Sequence, residues 1–462
     1  MGDINQLYIS GGGSTLIATD EMLAEAERVT YLSLLFTTAA AQLTVAQGYI
    51  TYHSSSMSQV KYAIGWMNDA YAAAVELKSL TAYLRDQLQL AIEQYSETEN
   101  NARAMATGLD ALINTTLGSG AGNMFSLMSV NDELALLALL GLIGMGITAP
   151  PSGDPLIDLK RYFTDPENVA RLRRMIETGA YAALSAGSPT TELAHHAAFT
   201  GSSGVQIPAE LLLFYAGFAG MLTETGVLVR ATETVRQSGP LTSTRDRLAA
   251  IPTGDGPQVR IDVIEGDGPT RYEVFVGGTQ DFSPFAGDTA FDLTSNIHGV
   301  AGGSPASYEG VIEAMKRANI PPGAEVSLVG YSQGALIVQM VAASGEYNVV
   351  NALTAGSPGG HIILPPEVNG IIIEHLDDPV TALGGAQSNT DSLVVQRHAF
   401  NDSRPPNYEL PLPGHDLGYY LETGAMVDDA DSVKLRNAVQ KQNDFSSGTT
   451  VTSTYYEITR TT

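Results

Sequence analysis

At 462 residues the chain is longer than one ordinary domain and points to two or three. Its 44% apolar content is that of a globular protein. A formal net charge of −26 excludes nucleic acid or an anionic lipid surface as an electrostatically held partner, though not a neutral ester or lipid. The absence of cysteine excludes a disulfide framework, a thiolate metal site and a cysteine nucleophile.

Residues Met1 to Tyr8 lack the basic stretch and apolar run of a secretory signal peptide. From about 20 to 100 the apolar residues fall at helical spacing, first Met22, Ala26, Val29, Phe36, Ala40 and Leu43, then Leu77, Leu80, Leu84, Leu88, Ala91 and Tyr95. A serine-rich break at 54–58 divides them, which predicts a long helical hairpin over 1–105 that needs a partner surface for its stripe. Residues 106–250 stay helix-biased, with glycine, serine and proline breaks, and form a candidate cap or lid. The run Leu134 to Ile147 is too short for a membrane span and reads as a buried helix or flap, so no transmembrane segment is expected.

The stretch Ile251 to Pro257 reads as a linker, and beyond it strands alternate with helices. Strands are expected at 260–264, 272–276, 326–329, 349–354 and 371–375, with helices near 308–319 and after Ser332. That alternation predicts an α/β domain over 251–462 with a mostly parallel sheet, and the segment 449–458 adds an edge strand.

An apolar strand, Val326 to Val329, runs through Gly330-Tyr331-Ser332-Gln333-Gly334 into an apolar helix. A G-x-S-x-G between strand and helix is a nucleophile elbow, in which a tight turn holds the serine out above the sheet. A serine hydroxyl needs a base, and the base needs a carboxylate to orient it; on this kind of elbow the chain order is serine, acid, histidine. The acid belongs just beyond a later strand, where Asp377 and Asp378 end the run Gly370 to Leu376. Downstream lie His398, inside a strand-like segment, and His415, in a proline-flanked loop before a helix; His415 is the candidate base. Oxyanion donors are expected from the backbone N–H of Gln333 and from Thr279, which follows the strand Tyr272 to Val276 and a glycine pair. This chemistry requires no cofactor and no metal ion.

The elbow, Phe275-Val-Gly-Gly278-Thr279, Thr354-Ala-Gly356-Ser-Pro358 and Asp378-Pro-Val occur in the order seen in α/β-hydrolase lipases of the fungal triacylglycerol lipase type. Gly-Tyr-Ser-Gln-Gly-Ala is similar to the elbow of cutinases and of the hydrolase domain attached to mycobacterial PE and PPE proteins. The resemblance covers about residues 258–425. It implies a carboxylic ester hydrolase with Ser332, His415 and Asp378 as its triad, Asp377 as the alternative acid, and an ester or lipid substrate. The helical hairpin resembles W-x-G and PE-type proteins exported by type VII secretion, whose signal Y-x-x-x-[DE] is matched by Tyr95 to Glu99. That implies a secretion chaperone or helical partner and a secreted or envelope location reached without a signal peptide. The alternatives are a cytoplasmic enzyme and a non-catalytic interaction protein with a hydrolase-like domain.

Overall fold

The computed structural model describes residues 4–11, 31–32, 34–46, 67–79, 81, 155–173, 205–206, 209–210, 213, 221–237, 239–266, 268–283, 285–389, 391–401 and 403–461. The chain divides into two compact units, Thr15–Asp110 and a larger one of Met1–Ser14 with Ala111–Thr462. In the smaller unit, residues 34–46 and 67–79 are helical, and Ala40 and Ala74 are buried. Thr38 and Thr44 donate to the carbonyls four residues back, so their hydroxyls stay satisfied within the helix. The serine-rich break, the Tyr95 to Glu99 motif and the run Leu134 to Ile147 lie outside the described residues.

The larger unit is mixed α/β, built on a nine-stranded sheet among the described residues. The strands are β1 (Tyr8–Gly11), β2 (Val227–Gln237), β3 (Val259–Glu265), β4 (Arg271–Val276), β5 (Glu325–Tyr331), β6 (Asn348–Ala355), β7 (Asn369–His375), β8 (Leu393–Arg397) and β9 (Thr450–Arg460). Their order across the sheet is β1-β8-β7-β6-β5-β4-β3-β9-β2. From β4 to β8 every pairing is parallel, whereas β1, β3, β9 and β2 pair antiparallel.

The core follows from the two-residue period of a strand, which sends alternate side chains to opposite faces. Val326, Leu328, Val274, Ala352 and Ile372 join one apolar cluster, and their neighbours Val329, Phe275, Leu353, Ile371 and Ile373 join another. Helices α4 (Ala306–Arg317) and α5 (Gln333–Ser344) cover the first face through Val311, Met315, Ile337 and Val341. The second is covered by α2 (Thr244–Ala249), α7 (Leu417–Asp428) and α8 (Val433–Ser446) through Leu248, Tyr420, Val427 and Leu435. Central strands covered on both sides explain why the segments at β5 and β7 read as continuous apolar runs.

Four expectations are corrected. The sheet does not begin at 251: β2 and the N-terminal β1 belong to it, so 1–105 is not purely helical and 251 is not a domain boundary. The stretch 251–257 is a loop inside the unit, with Ile251 buried and the Pro252 carbonyl so close to Gly277 that a β-carbon there would lie 2.7 Å from it. Strand β9 is not an edge; it lies between β3 and β2, pairs antiparallel with both, and buries Val451 and Ser453 in its first half and Tyr456 and Ile458 in its second. Finally, the described residues within 106–250 do not stand apart, since Phe163 of α1 (Pro155–Phe163), Val169, Leu172, Val205, Met221 and Leu222 share an apolar cluster with elements of the sheet unit.

Candidate active site

Parallel strands align their carboxyl ends, and loops leaving those ends are where α/β sheets gather functional groups. Ser332 follows β5, Asp378 follows β7, Thr279 follows β4, and His415 comes from the loop after β8. Ser332 links β5 directly to α5 with φ 57° and ψ −123°, a positive φ that a side-chain-bearing residue adopts only under constraint. The constraint is the close crossing of strand and helix. A β-carbon at Gly330 would sit 2.4 Å from the Gly334 carbonyl oxygen, and one at Gly334 would sit 2.2 Å from that of Val276. No side chain fits at either position, so the two glycines of the motif are steric requirements of the turn.

The imidazole of His415 bridges the other two groups. Its Nε2 lies 2.8 Å from Ser332 Oγ and its Nδ1 lies 2.7 Å from Asp378 Oδ2. Both Ser332 and His415 are buried, and the Asp378 side chain is fully enclosed. Asp378 also caps α6 (Pro379–Leu383), where its Oδ1 accepts the Val380 N–H at 2.8 Å. Tyr420 of α7 donates its hydroxyl to Asp378 Oδ2 at 2.6 Å, so three donors converge on one carboxylate. Tyr331 stacks on the His415 ring, 5.1 Å between centroids and 23° between planes, and donates to the His415 carbonyl. Burial first, and the Asp378 carboxylate second, push both phenols well above their ordinary value of 10, so they remain donors.

Of the two adjacent aspartates, Asp378 and not Asp377 bonds His415. The two oxygens of Asp377 accept the N–H groups of Ala399 and Phe400, each at 3.0 Å, and burial pushes its carboxyl up to about 7. The capping turn of α6 sends Asp378 toward His415, while Asp377 holds the chain after β8. His398 packs edge-on against Tyr8, with 6.2 Å between ring centroids.

The Thr279 turn lies against the serine: a β-carbon at Gly278 would come 3.2 Å from Ser332 Cβ. The Thr279 hydroxyl accepts from Asn296 Nδ2 of α3 (Leu293–Val300) at 2.6 Å, which leaves its own proton free to donate elsewhere. Gln333 is the first residue of α5, so its N–H has no acceptor within the helix. Its side-chain amide reaches the Asp292 carbonyl at 3.3 Å and the Ser307 hydroxyl at 3.2 Å, which anchors the residue from below. Helix α3 therefore braces Thr279 through Asn296, and Asp292, the residue that caps it, braces Gln333. Neither contact has a local signature in the sequence.

Over these loops lies a third apolar cluster. Phe163, Val169, Leu172, Val205 and Met221 pack with Leu293 and Ile297 of α3, Leu336 of α5, Val380 of α6 and Leu412, two residues before Gly414. Arg173 donates to the Thr381 hydroxyl at 3.2 Å, and Lys160 to the Tyr408 carbonyl at 3.2 Å. The helical segment thus rests on the loops that carry Asp378 and His415.

A second histidine lies beneath. His375 ends β7 fully buried, and burial drives its imidazole from 6.5 down to about 3. An unfolded chain takes up this proton below pH 6.5, and the folded chain resists it until about pH 3. Stability from this group is therefore complete above 6.5 and falls as the pH drops toward 3, by about 1.4 kcal/mol per unit. Urea unfolding of the wild type at pH 7.5 and 5 is expected to show a loss that shrinks by about 2 kcal/mol in His375→Gln. An equal loss in both would assign the acid sensitivity to other groups.

Among the described residues no cluster of histidine, aspartate and glutamate could hold a metal ion, and no helix is long and apolar enough to cross a membrane. In comparisons with known proteins, the chain matches no family model, no curated protein and no solved structure.

Proposed function

We propose that the chain is a serine carboxylic ester hydrolase of the α/β-hydrolase type, acting on lipid or other acyl esters through an acyl-enzyme. The observation that carries this reading is the continuous path from Ser332 Oγ through His415 to Asp378, at 2.8 and 2.7 Å, on a positive-φ serine between a strand and a helix. Ser332 Oγ attacks the ester carbonyl as His415 Nε2 takes its proton. The carbonyl π electrons move onto the oxygen, which the Gln333 N–H and Thr279 hold. His415 then gives the proton to the leaving alkoxide, the C–O bond breaks, and the acyl group stays on Ser332. Water repeats the sequence and releases the acid. Asp378 keeps the Nδ1–H of His415 directed at itself, so that Nε2 is the face presented to serine.

The cluster of Phe163, Val169, Leu172, Val205 and Met221 supports an acyl-bearing substrate, because it places hydrocarbon beside the loops that hold the proposed triad. A series of p-nitrophenyl esters from acetate to palmitate tests this: turnover is expected, with a preference for chains longer than acetate. No turnover across the series, with no fluorophosphonate labelling, would remove the reading. Thr279 and its brace form a second test. Asn296→Ala is expected to lower kcat roughly 10-fold with KM nearly unchanged, since the donor acts on the transition state and not on the ground state. A change confined to KM would take Asn296 out of the oxyanion site.

Export by a type VII route is the companion proposal for the smaller unit. Its support is that residues 34–46 and 67–79 are helical and belong to a unit separate from the sheet. Finding the protein in culture filtrate, and its loss from there on Tyr95→Ala, is the expected result.

A further inference from the structure

His375 lies three residues before Asp378, and the ester-hydrolase chemistry above gives it no step. It is nevertheless tied to both partners of the pair. Its Nδ1 is 3.0 Å from the Gly414 carbonyl oxygen. A carbonyl only accepts, so Nδ1 carries the proton, and Nε2 is then the acceptor facing the Thr423 hydroxyl at 2.7 Å. One neutral imidazole thereby joins the residue before His415 to the middle of α7. Its ring stacks on Tyr420, 3.8 Å between centroids and 12° between planes, and its backbone N–H donates to the Tyr420 hydroxyl at 3.2 Å. That same hydroxyl donates to Asp378 Oδ2. A β-carbon at Gly414 would lie 1.9 Å from the Asp377 carbonyl oxygen, so the loop carrying His415 is pressed closely against the one carrying Asp378.

We propose that His375 is a positioning residue, which sets the distance between His415 and Asp378 from beneath by holding Gly414 with one edge and Tyr420 with its face. This rests on the ester-hydrolase reading of the site. A residue that merely filled space would be replaced without loss by another flat ring. A positioning residue needs its Nδ1–H as well, because an unheld Gly414 carbonyl lets the base drift, and misplacement of about 1 Å costs on the order of 100-fold in rate.

His375→Phe keeps the stack and deletes the donor; His375→Asn deletes the stack and keeps a donor near the Nδ1 position. With cooperative thermal melts confirming that both fold, His375→Phe is expected to lower kcat roughly 10- to 100-fold with KM within about twofold, and to move the acid limb of kcat/KM. His375→Asn should recover a large part of kcat. A folded His375→Phe within about threefold of wild type, or an Asn variant no better than Phe, overturns the proposal.

A second measurement does not depend on turnover. The His415 Nδ1–H bonded to Asp378 should give a low-field proton resonance, identified by its loss in His415→Ala, that shifts or broadens in His375→Phe. If it stays unchanged, His375 does not position the pair. If it is absent from the wild type, the ordered pair that the proposal needs does not exist. If it is present and responds to His375 while the wild type neither turns over esters nor takes up a fluorophosphonate, the ester-hydrolase reading fails and the positioning stands.

Discussion

Alanine at Ser332 is expected to abolish fluorophosphonate labelling and to lower kcat for a p-nitrophenyl ester by roughly 10⁴- to 10⁶-fold, leaving KM almost unchanged. The size follows from what is removed. Without Oγ the proposed acyl-enzyme has no atom to form on, and only the proposed oxyanion donors and substrate binding remain to assist a water molecule. Glycine at 332 makes a sharper comparison, because φ 57° with ψ −123° is a conformation that alanine shares and glycine relieves. Both variants should be inactive, and Ser332→Gly should be the more stable by about 1 kcal/mol in urea unfolding. Labelling that persists in Ser332→Ala would place the nucleophile elsewhere.

The second large effect separates two neighbouring carboxylates. Asp378→Asn is expected to cost about 10⁴-fold in kcat, since an amide nitrogen facing His415 Nδ1 forces the imidazole toward the wrong tautomer. An amide oxygen facing His415 instead leaves its NH₂ where Val380 N–H donates, so neither rotamer satisfies both neighbours. Asp377→Asn should keep kcat within about threefold and lose stability instead. Its oxygens hold the N–H groups of Ala399 and Phe400, and one of those donors would then face an NH₂ group, at about 1–3 kcal/mol. Steady-state rates and urea midpoints on the two variants check both halves. Reversed behaviour would exchange the assignments.

The elements most legible in the sequence are those whose cause is local. The strands expected at 260–264, 272–276, 326–329, 349–354 and 371–375 overlap β3 to β7 closely, because a strand covered on both faces must be apolar along its length. The G-x-S-x-G turn is local in the same sense, since its two glycines answer to a crossing within five residues. Strand β1 carries no such mark: Tyr8 to Gly11 owe their conformation to pairing with Leu393 to Gln396, nearly the whole chain away. Strands β2 and β9 depend on each other in the same manner, and a polar, threonine-rich segment gives no sign that it lies inside a sheet. At the site, the adjacent Asp377 and Asp378 are the same residue type, and only the capping turn of α6 separates their directions. The contacts of Asn296, Tyr331, Tyr420 and His375 exist only after helices and loops remote in sequence have docked, so motif spacing could not reveal them.

Strand β9 has one more implication, for the order in which a growing chain acquires its structure. On its way out of the ribosome, β3 acquires β4 early, but its other edge stays open until residues 450–460 have been synthesised. Those residues also bring Arg460, whose guanidinium clamps Asp292 at 2.7 and 2.9 Å and Glu224 at 2.6 Å, at the start of the helix that braces Thr279. Pairings so distant in sequence form slowly and leave unpaired strand edges exposed meanwhile. Until residues 450–460 are made, the open edge of β3 therefore stays exposed, and the clamp at the start of α3 closes only when they arrive.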